Sequence, residues 1–240
     1  MNRSIATLAL MAAATAAAQA QTTIAAGGTV SGAVTANTSI YQIFGHSGSQ
    51  PSAAADAPYL AFAPGADRVF TFTAMSGGVT CCGPATWYGL DGGGGTTRVN
   101  GINGLSGVQA NTALPLVAVF TTDADPFGGA APANLPAWTA AGAASVAPAL
   151  HQVFVIGDGR AGVNNAAGAL LSYTAPEGAT RLYLGFADSW SFQGNPGYYA
   201  DNLGGVNYTV ALAPVPEPAS VALMAAGGLL LGAVRRRRSR

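Results

Sequence analysis

Short runs in which apolar and polar residues alternate, separated by turns rich in Gly and Pro, run through the middle of this chain. The clearest example lies at residues 180–212, where Leu182, Leu184 and Phe186 share one face and positions 206–212 alternate in the same way. A period of two residues is typical of half-buried β-strands. We predict two strands here, joined as a hairpin by a polar loop.

Further β-strands are predicted from shorter apolar or alternating runs. These runs lie at 29–34, 39–44, 68–73, 114–121, 150–156 and 169–174. The runs at 114–121 and 150–156 are almost wholly apolar, which indicates buried strands. Helical periodicity of useful length is missing between residues 21 and 213, so we predict one all-β domain, a β-sandwich, over this range.

The first twenty residues have the pattern of a secretory signal peptide. Arg3 precedes an apolar run, and Ala18-Gln19-Ala20 supplies the small residues of a cleavage site. We predict that residues 1–20 are removed after export. The alternative, a buried N-terminal helix, leaves the cleavage pattern unexplained.

The segment 214–240 combines three features in a fixed order. A motif of Val215, Pro216, Glu217 and Pro218 is followed by an apolar run at 219–234 and then by a cluster of arginines. The run is shorter than the ~20 residues of a standard spanning helix, but it is almost free of polar side chains. We predict a transmembrane helix with the arginines in the cytoplasm and the body on the outer side.

This order of a Pro-Glu-Pro motif, a short hydrophobic helix and a basic cluster resembles the PEP-CTERM sorting signal. The resemblance implies a Gram-negative-type bacterial host and recognition by an exosortase, a membrane protease or transpeptidase that processes the chain near the motif. It also implies transient anchoring in the inner membrane, then release to the surface or surroundings of cells that make exopolysaccharide. An ordinary tail anchor, the alternative, would not need the motif.

Charge is scarce and unevenly placed. Charged residues make up 8% of the chain, and the basic ones are all arginines. Six of the ten arginines lie at the two termini, so the body is weakly acidic. This argues against nucleic-acid binding, which needs basic groups against phosphates, and it is compatible with cation binding.

The predicted loop between the two strands at 180–212 concentrates oxygen-bearing side chains. It contains Asp188, Asn195, Asp201 and Asn202 among several glycines. Carboxylate, amide and carbonyl oxygens are the ligands that calcium takes. The alternative is a solvated turn, since Asp, Asn and Gly also favour turns.

Two adjacent cysteines, Cys81 and Cys82, follow the run at 68–73. In an exported protein they meet an oxidising compartment, and we predict a vicinal disulfide. Neighbouring Cα atoms lie ~3.8 Å apart, less than the usual disulfide span, so the bond would be strained. Intermolecular pairing and two reduced thiols remain the alternatives; a zinc site lacks further cysteines.

The body also resembles the bacterial calcium-dependent galactophilic lectins, which are small jelly-roll sandwiches. The matching stretches are Cys82-Gly83-Pro84 and the sequences at 156–159, 175–188 and 199–210. The resemblance implies a galactose-binding-domain-like jelly roll with one calcium ion. It also implies side-chain ligands from Asp188, Asp201 and Asn202, and carbonyl ligands from Cys82 and Tyr198. The lectins' galactose contacts have no clear match at 92–104.

We therefore predict an exported protein that binds carbohydrate through calcium. Trp87, Tyr88 or Trp190 would stack on the sugar, although core packing is the alternative for each. A structural biofilm or matrix protein without sugar binding is the second interpretation. We expect no enzymatic activity, because the Asp188–Asp201 pair lacks a general-acid signature and GHSG at 45–48 is an incomplete nucleophile elbow.

Overall fold

The computed structural model describes residues 21–46, 54–65, 68–83, 86–136 and 145–214. These residues form β-strands and two single-turn 3₁₀ helices, so the all-β prediction is confirmed. The strands are β1 (Gln21–Thr23), β2 (Thr29–Thr35), β3 (Thr38–Ser39), β4 (Ala55–Asp56), β5 (Tyr59–Ala61), β6 (Val69–Thr80), β7 (Thr97–Val99), β8 (Val108–Ala110), β9 (Leu116–Thr121), β10 (Ser145–Val146), β11 (Val153–Val155), β12 (Ser172–Thr174), β13 (Arg181–Phe186), β14 (Gln193–Gly194) and β15 (Leu203–Leu212). The 3₁₀ helices are Trp190–Phe192 and Tyr199–Asp201.

Two sheets form the body of the domain. In the seven-stranded sheet, β13 pairs antiparallel with β9 along its whole length, while β5 and β3 share its other edge. The other members are β1 beside β5, β4 beside β3 and β11 beside β9. The five-stranded sheet has the order β10-β12-β6-β15-β2, with the long strands β6 and β15 at its centre.

The predicted hairpin at 180–212 is wrong, although both of its strands exist. Strand β13 lies in the seven-stranded sheet and β15 in the five-stranded sheet. The loop between them therefore crosses from one sheet to the other. Alternation along a strand reports which face is buried and leaves the pairing partner open.

The main core lies between these two sheets. Both contribute aromatic rings to it, and Phe120 and Phe154 stack at 5.3 Å between ring centroids while Phe72 meets Tyr173 edge to face at 5.7 Å. All four side chains are buried, and burial of such rings supplies most of the hydrophobic stabilisation of a domain this size.

A third layer covers the outer face of the seven-stranded sheet. It consists of the three-stranded sheet β14-β7-β8 and the turns at 40–43, which pack on Val117, Val119 and Tyr183. Every residue of β9 is buried, as the apolar run at 114–121 predicts. The half-buried prediction for β13 is wrong, because its second face meets this third layer instead of solvent.

Three predicted strands are much shorter than expected, and the run at 169–174 reduces to Ser172–Thr174. Within the run at 39–44 only Ser39 belongs to a strand, β3, and Phe44 has a positive φ of 54° within the turns that follow. The run at 150–156 reduces to Val153–Val155 because His151, with φ of 64°, lies in a turn. Apolar side chains outside the extended residues, such as Ile40, Ile43 and Ile156, are also buried, so apolar content alone did not indicate an extended backbone.

The predicted signal peptide at 1–20 and the motif and helix at 215–240 lie outside the described residues. Within the described ranges, no helix has the length and apolar character to cross a membrane.

Candidate functional site

The loop at 187–202 that crosses between the two main sheets forms one wall of a cavity of about 320 Å³. The two cysteines that follow β6 form the other wall. The residues that line the cavity are Cys81, Cys82, Asp188, Ser189, Trp190, Ser191, Phe192, Tyr198 and Asp201. Four of the five residues predicted to bind calcium therefore line one cavity, and the fifth, Asn202, contacts one of them.

Asp188 is the buried carboxylate of this site, with 2% of its surface exposed. Its Oδ1 accepts the backbone N–H of Ser189 at 2.7 Å, and its Oδ2 accepts Nδ2 of Asn202 at 2.8 Å. Asn202 Nδ2 also donates to the carbonyl of Ala36 at 3.3 Å. The carboxylate is thus held between the two ends of the crossing loop.

Burial raises the pKa of the Asp188 carboxyl to about 7. The two hydrogen bonds that it accepts lower the pKa and offset part of this effect, while the nearby Asp201 carboxylate raises it further. The charged form is therefore disfavoured unless a positive charge approaches it.

Asn202 carries the clearest unpaired polar atom in the site. The residue is 5% exposed, and its Oδ1 is buried without a hydrogen-bond partner among the described residues. A buried amide oxygen without a partner costs free energy in a native protein and calls for an explanation. Oxygen of this kind is a ligand for hard cations.

The backbone around Asp188 is fixed by a buried tyrosine that follows Tyr198. The hydroxyl of Tyr199 accepts the N–H of Asp188 at 3.1 Å and donates to the carbonyl of Phe186 at 3.4 Å. Tyr198 itself has a left-handed backbone, with φ of 68°, at the start of the second 3₁₀ helix. Asp188 is therefore positioned by the end of β13 and by this helix together.

Ser189 closes the loop on itself. Its hydroxyl contacts the carbonyl of Gln193 and donates to the carbonyl of Asn195 at 2.7 Å. The N–H of Gly197 donates to the carbonyl of Asp188 at 2.9 Å. These bonds fold residues 188–197 into a compact turn, as the glycines and polar side chains of this stretch favour.

Cys82 and Asp201 are two exposed members of the cavity wall. Both cysteines are free thiols in the structure, with their Sγ atoms 2.8 Å apart. The hydrogen bond to Cys81 raises the pKa of the Cys82 thiol to about 12, with further contributions from burial and from the Asp201 and Asp188 carboxylates. The vicinal disulfide stays a prediction. The two carboxylates lie close enough to Cys82 for their charges to affect its thiol.

The aromatic side chains predicted to stack on sugar separate into two places. Trp190 lines the cavity, where its ring meets that of Tyr198 at 5.3 Å, and both rings are largely exposed. Trp87 and Tyr88 are not among the residues that line it; they border a separate groove. Sugar stacking by Trp87 and Tyr88 stays a prediction: Trp87 lies outside the Asp188 cavity, and the Tyr88 hydroxyl approaches it, 3.8 Å from Cys81 Sγ.

The donors that converge here are oxygen atoms. Among the described residues, no three His, Cys, Asp or Glu side chains form a cluster that could hold a metal ion. A cation at this site would instead need the two carboxylates together with amide and backbone carbonyl oxygens. That mixed oxygen set is the one calcium accepts, with its flexible coordination.

Sequence reasoning missed the roles of Ser189 and Tyr199. Their hydroxyl groups order the loop. The only signal in the sequence was that the hydroxyl of a buried tyrosine needs a hydrogen-bond partner. That signal becomes readable once Tyr199 is known to be fully buried.

Comparison with known proteins identifies one part of the chain. A family model described as the PEP-CTERM protein-sorting motif matches residues 214–238. The match supports the prediction of an exported chain that an exosortase processes. Neither the curated proteins nor the solved structures contain a match to the chain. The resemblance of the body to galactophilic lectins receives no support from these comparisons and stays a prediction.

Proposed function

We propose that this chain, with its PEP-CTERM motif, is an exported, non-catalytic protein that binds glycan through a calcium ion at the Asp188 cavity. Its location after processing would be the cell surface or the extracellular space. The observation that carries the proposal is the pairing of a buried carboxylate, Asp188, with an amide, Asn202, whose oxygen has no hydrogen-bond partner in the described part of the chain. A divalent cation explains both features at once, because it favours the charged form of the carboxyl and is coordinated by the unpaired oxygen.

The proposed ligands are the side chains of Asp188, Asp201 and Asn202 and the carbonyls of Cys82 and Tyr198. When bound, the ion would supply a positive charge, and sugar hydroxyls would replace the water molecules that coordinate it. Trp190 and Tyr198 lie exposed at the same cavity, and their rings would cover the apolar face of the sugar. The hydrogen bond between the Tyr199 hydroxyl and the backbone of Asp188 would keep the Asp188 carboxylate in position for the ion.

Calorimetric titration of calcium chloride into the full-length protein in detergent tests the ion site. We expect one binding event per chain in the wild type and none in Asp188→Asn or Asp201→Asn. Glu177→Gln is the matched control, since it removes another exposed carboxylate that does not line the cavity and should bind as the wild type does. A wild type without calcium binding would overturn the proposal.

A glycan array read with calcium and again with EDTA tests the carbohydrate part. Binding that disappears with EDTA and in Asp201→Asn supports the proposal. If EDTA lowers the thermal stability while no glycan binds in either condition, the ion is structural and the protein is a matrix component without sugar binding.

A further inference from the structure

We propose that a second groove, next to the Asp188 cavity, binds a neutral oligosaccharide without any metal ion. The groove has a volume of about 500 Å³ and is open to solvent. The residues that line it are Thr86, Trp87, Tyr88, Gly89, Gly92, Gly93, Gly94, Asn111, Thr112, Val163 and Asn164. It shares no lining residue with the Asp188 cavity, so this inference does not depend on the calcium proposal.

The groove has a fixed aromatic surface. Trp87 is 58% exposed, although it packs against the sheet: a Cβ added at Gly204 would come within 2.6 Å of the indole ring. The absence of a side chain at Gly204 therefore lets the ring lie directly on the backbone of β15. An indole supported from below and open above is a stacking surface that loses little conformational entropy when a ligand binds.

The floor of the groove is bare backbone because side chains cannot fit there. A Cβ at Gly93 would lie 2.2 Å from the ring of Tyr88, and one at Gly92, where φ is 87°, would lie 2.2 Å from the carbonyl of Ala113. The sequence GGGG at 92–95 is thus a shaped surface rather than a flexible linker. Gly94 is different, since a Cβ there meets no atom within 4 Å.

Amide and hydroxyl side chains form the rim of the groove. The backbone of one rim residue, Asn164, is held by the buried carboxylate of Asp91. Asp91, 2% exposed, accepts the N–H of Asn164 at 2.6 Å and the N–H of Asp158 at 2.7 Å. These bonds fix Asn164 in a left-handed backbone conformation, with φ of 53°, while its side chain remains exposed. Asp91 is therefore a positioning residue for this edge of the groove.

The chemistry of the groove favours a neutral sugar. None of the described residues that line the groove carries a charge, and its polar groups are amides and hydroxyls that can donate to and accept from sugar hydroxyls. The exposed indole matches the C–H face of a pyranose ring. An acidic polysaccharide would find no cation here, and a proline-rich peptide is the competing ligand for an aromatic groove.

Affinity electrophoresis of the full-length protein in detergent and EDTA tests the inference. The gels contain hydroxyethylcellulose, xyloglucan, galactomannan or dextran, with alginate as the acidic comparison and a polyproline peptide in a separate titration. We expect at least one neutral polymer to retard the wild type. Trp87→Ala should weaken that retardation about tenfold, in line with the loss of one stacking ring.

Two further variants separate binding from folding. Gly94→Leu adds a side chain in open space within the groove and should abolish retardation at unchanged melting temperature. Phe127→Ala removes an equally exposed ring elsewhere and should keep it. The inference would be overturned if no neutral polymer retarded the wild type, or if only alginate did. Unchanged retardation of Gly94→Leu, or binding of polyproline alone, would also overturn it. EDTA in every gel keeps these outcomes independent of the calcium site.

Discussion

Replacing Asp188 by Asn should stabilise the metal-free protein at alkaline pH, because it removes a charge that burial disfavours. The pKa of this carboxyl rises from an ordinary value of 3.8 to about 7 in the folded protein. Between these values the folded state holds a proton that the unfolded state has released. Stability should therefore fall as pH rises from about 4 to about 7 and then level off.

The size of the effect follows from that difference. At 1.36 kcal/mol for each pKa unit, the charged carboxylate costs about 4 kcal/mol at pH 8. The Asn side chain keeps the bond from Ser189, but its amide group faces Nδ2 of Asn202. Rotation of Asn202 would pair its free Oδ1 with the new amide and lose the bond to Ala36, at about 1 kcal/mol. The net gain is about 3 kcal/mol.

Urea unfolding in EDTA at pH 5, 6, 7 and 8, followed by tryptophan fluorescence, measures this gain. The difference between wild type and Asp188→Asn should grow with pH and be largest at pH 8. Because Asp201 and Cys82 line the same cavity in both proteins, this difference reports the effect of Asp188 alone. Calcium at a thousand times its Kd should reverse the order by stabilising only the wild type, by about 4.1 kcal/mol. A difference that does not change with pH would refute the reasoning.

Three other predictions concern the loop, the glycine floor and the cysteines. Tyr199→Phe removes the hydroxyl that holds the N–H of Asp188, and should lower the free energy of unfolding in urea by about 1 kcal/mol and weaken calcium binding in calorimetry. Gly93→Ala should lower the free energy of unfolding by about 1–3 kcal/mol through overpacking, whereas Gly94→Ala should change it little; equal effects would contradict the geometry. The Cys81–Cys82 disulfide predicts no free thiol on the unreduced exported protein, and two titratable thiols would disprove it.

The strands were predictable from sequence where one face is buried, and the layers were not. Strands β13 and β15 stand where the alternation places them, yet they belong to different sheets because alternation carries no information on partners. The third layer also escaped prediction, since its turns at 40–43 are as apolar as a strand.

The site shows the same division. Asp188 and Asn202 were predictable as one cluster, because oxygen-bearing residues in a single loop end close together. The position of Trp87 in a separate groove was not predictable, because the sequence gives no direction for the ring of an aromatic residue in a turn-rich stretch. The contact of Asn202 with Ala36 joins residues 166 positions apart, and no local pattern reports such a contact.

Strand β15 ends at Leu212, and the matched motif begins two residues later, at 214. The strand is paired along both edges, with β2 on one side and β6 on the other. A pull transmitted through the tail therefore acts along the strand axis and loads both ladders in shear at the same time. Under that geometry the domain resists being dragged open by its own tether, since the bonds must rupture together and cannot unzip one after another.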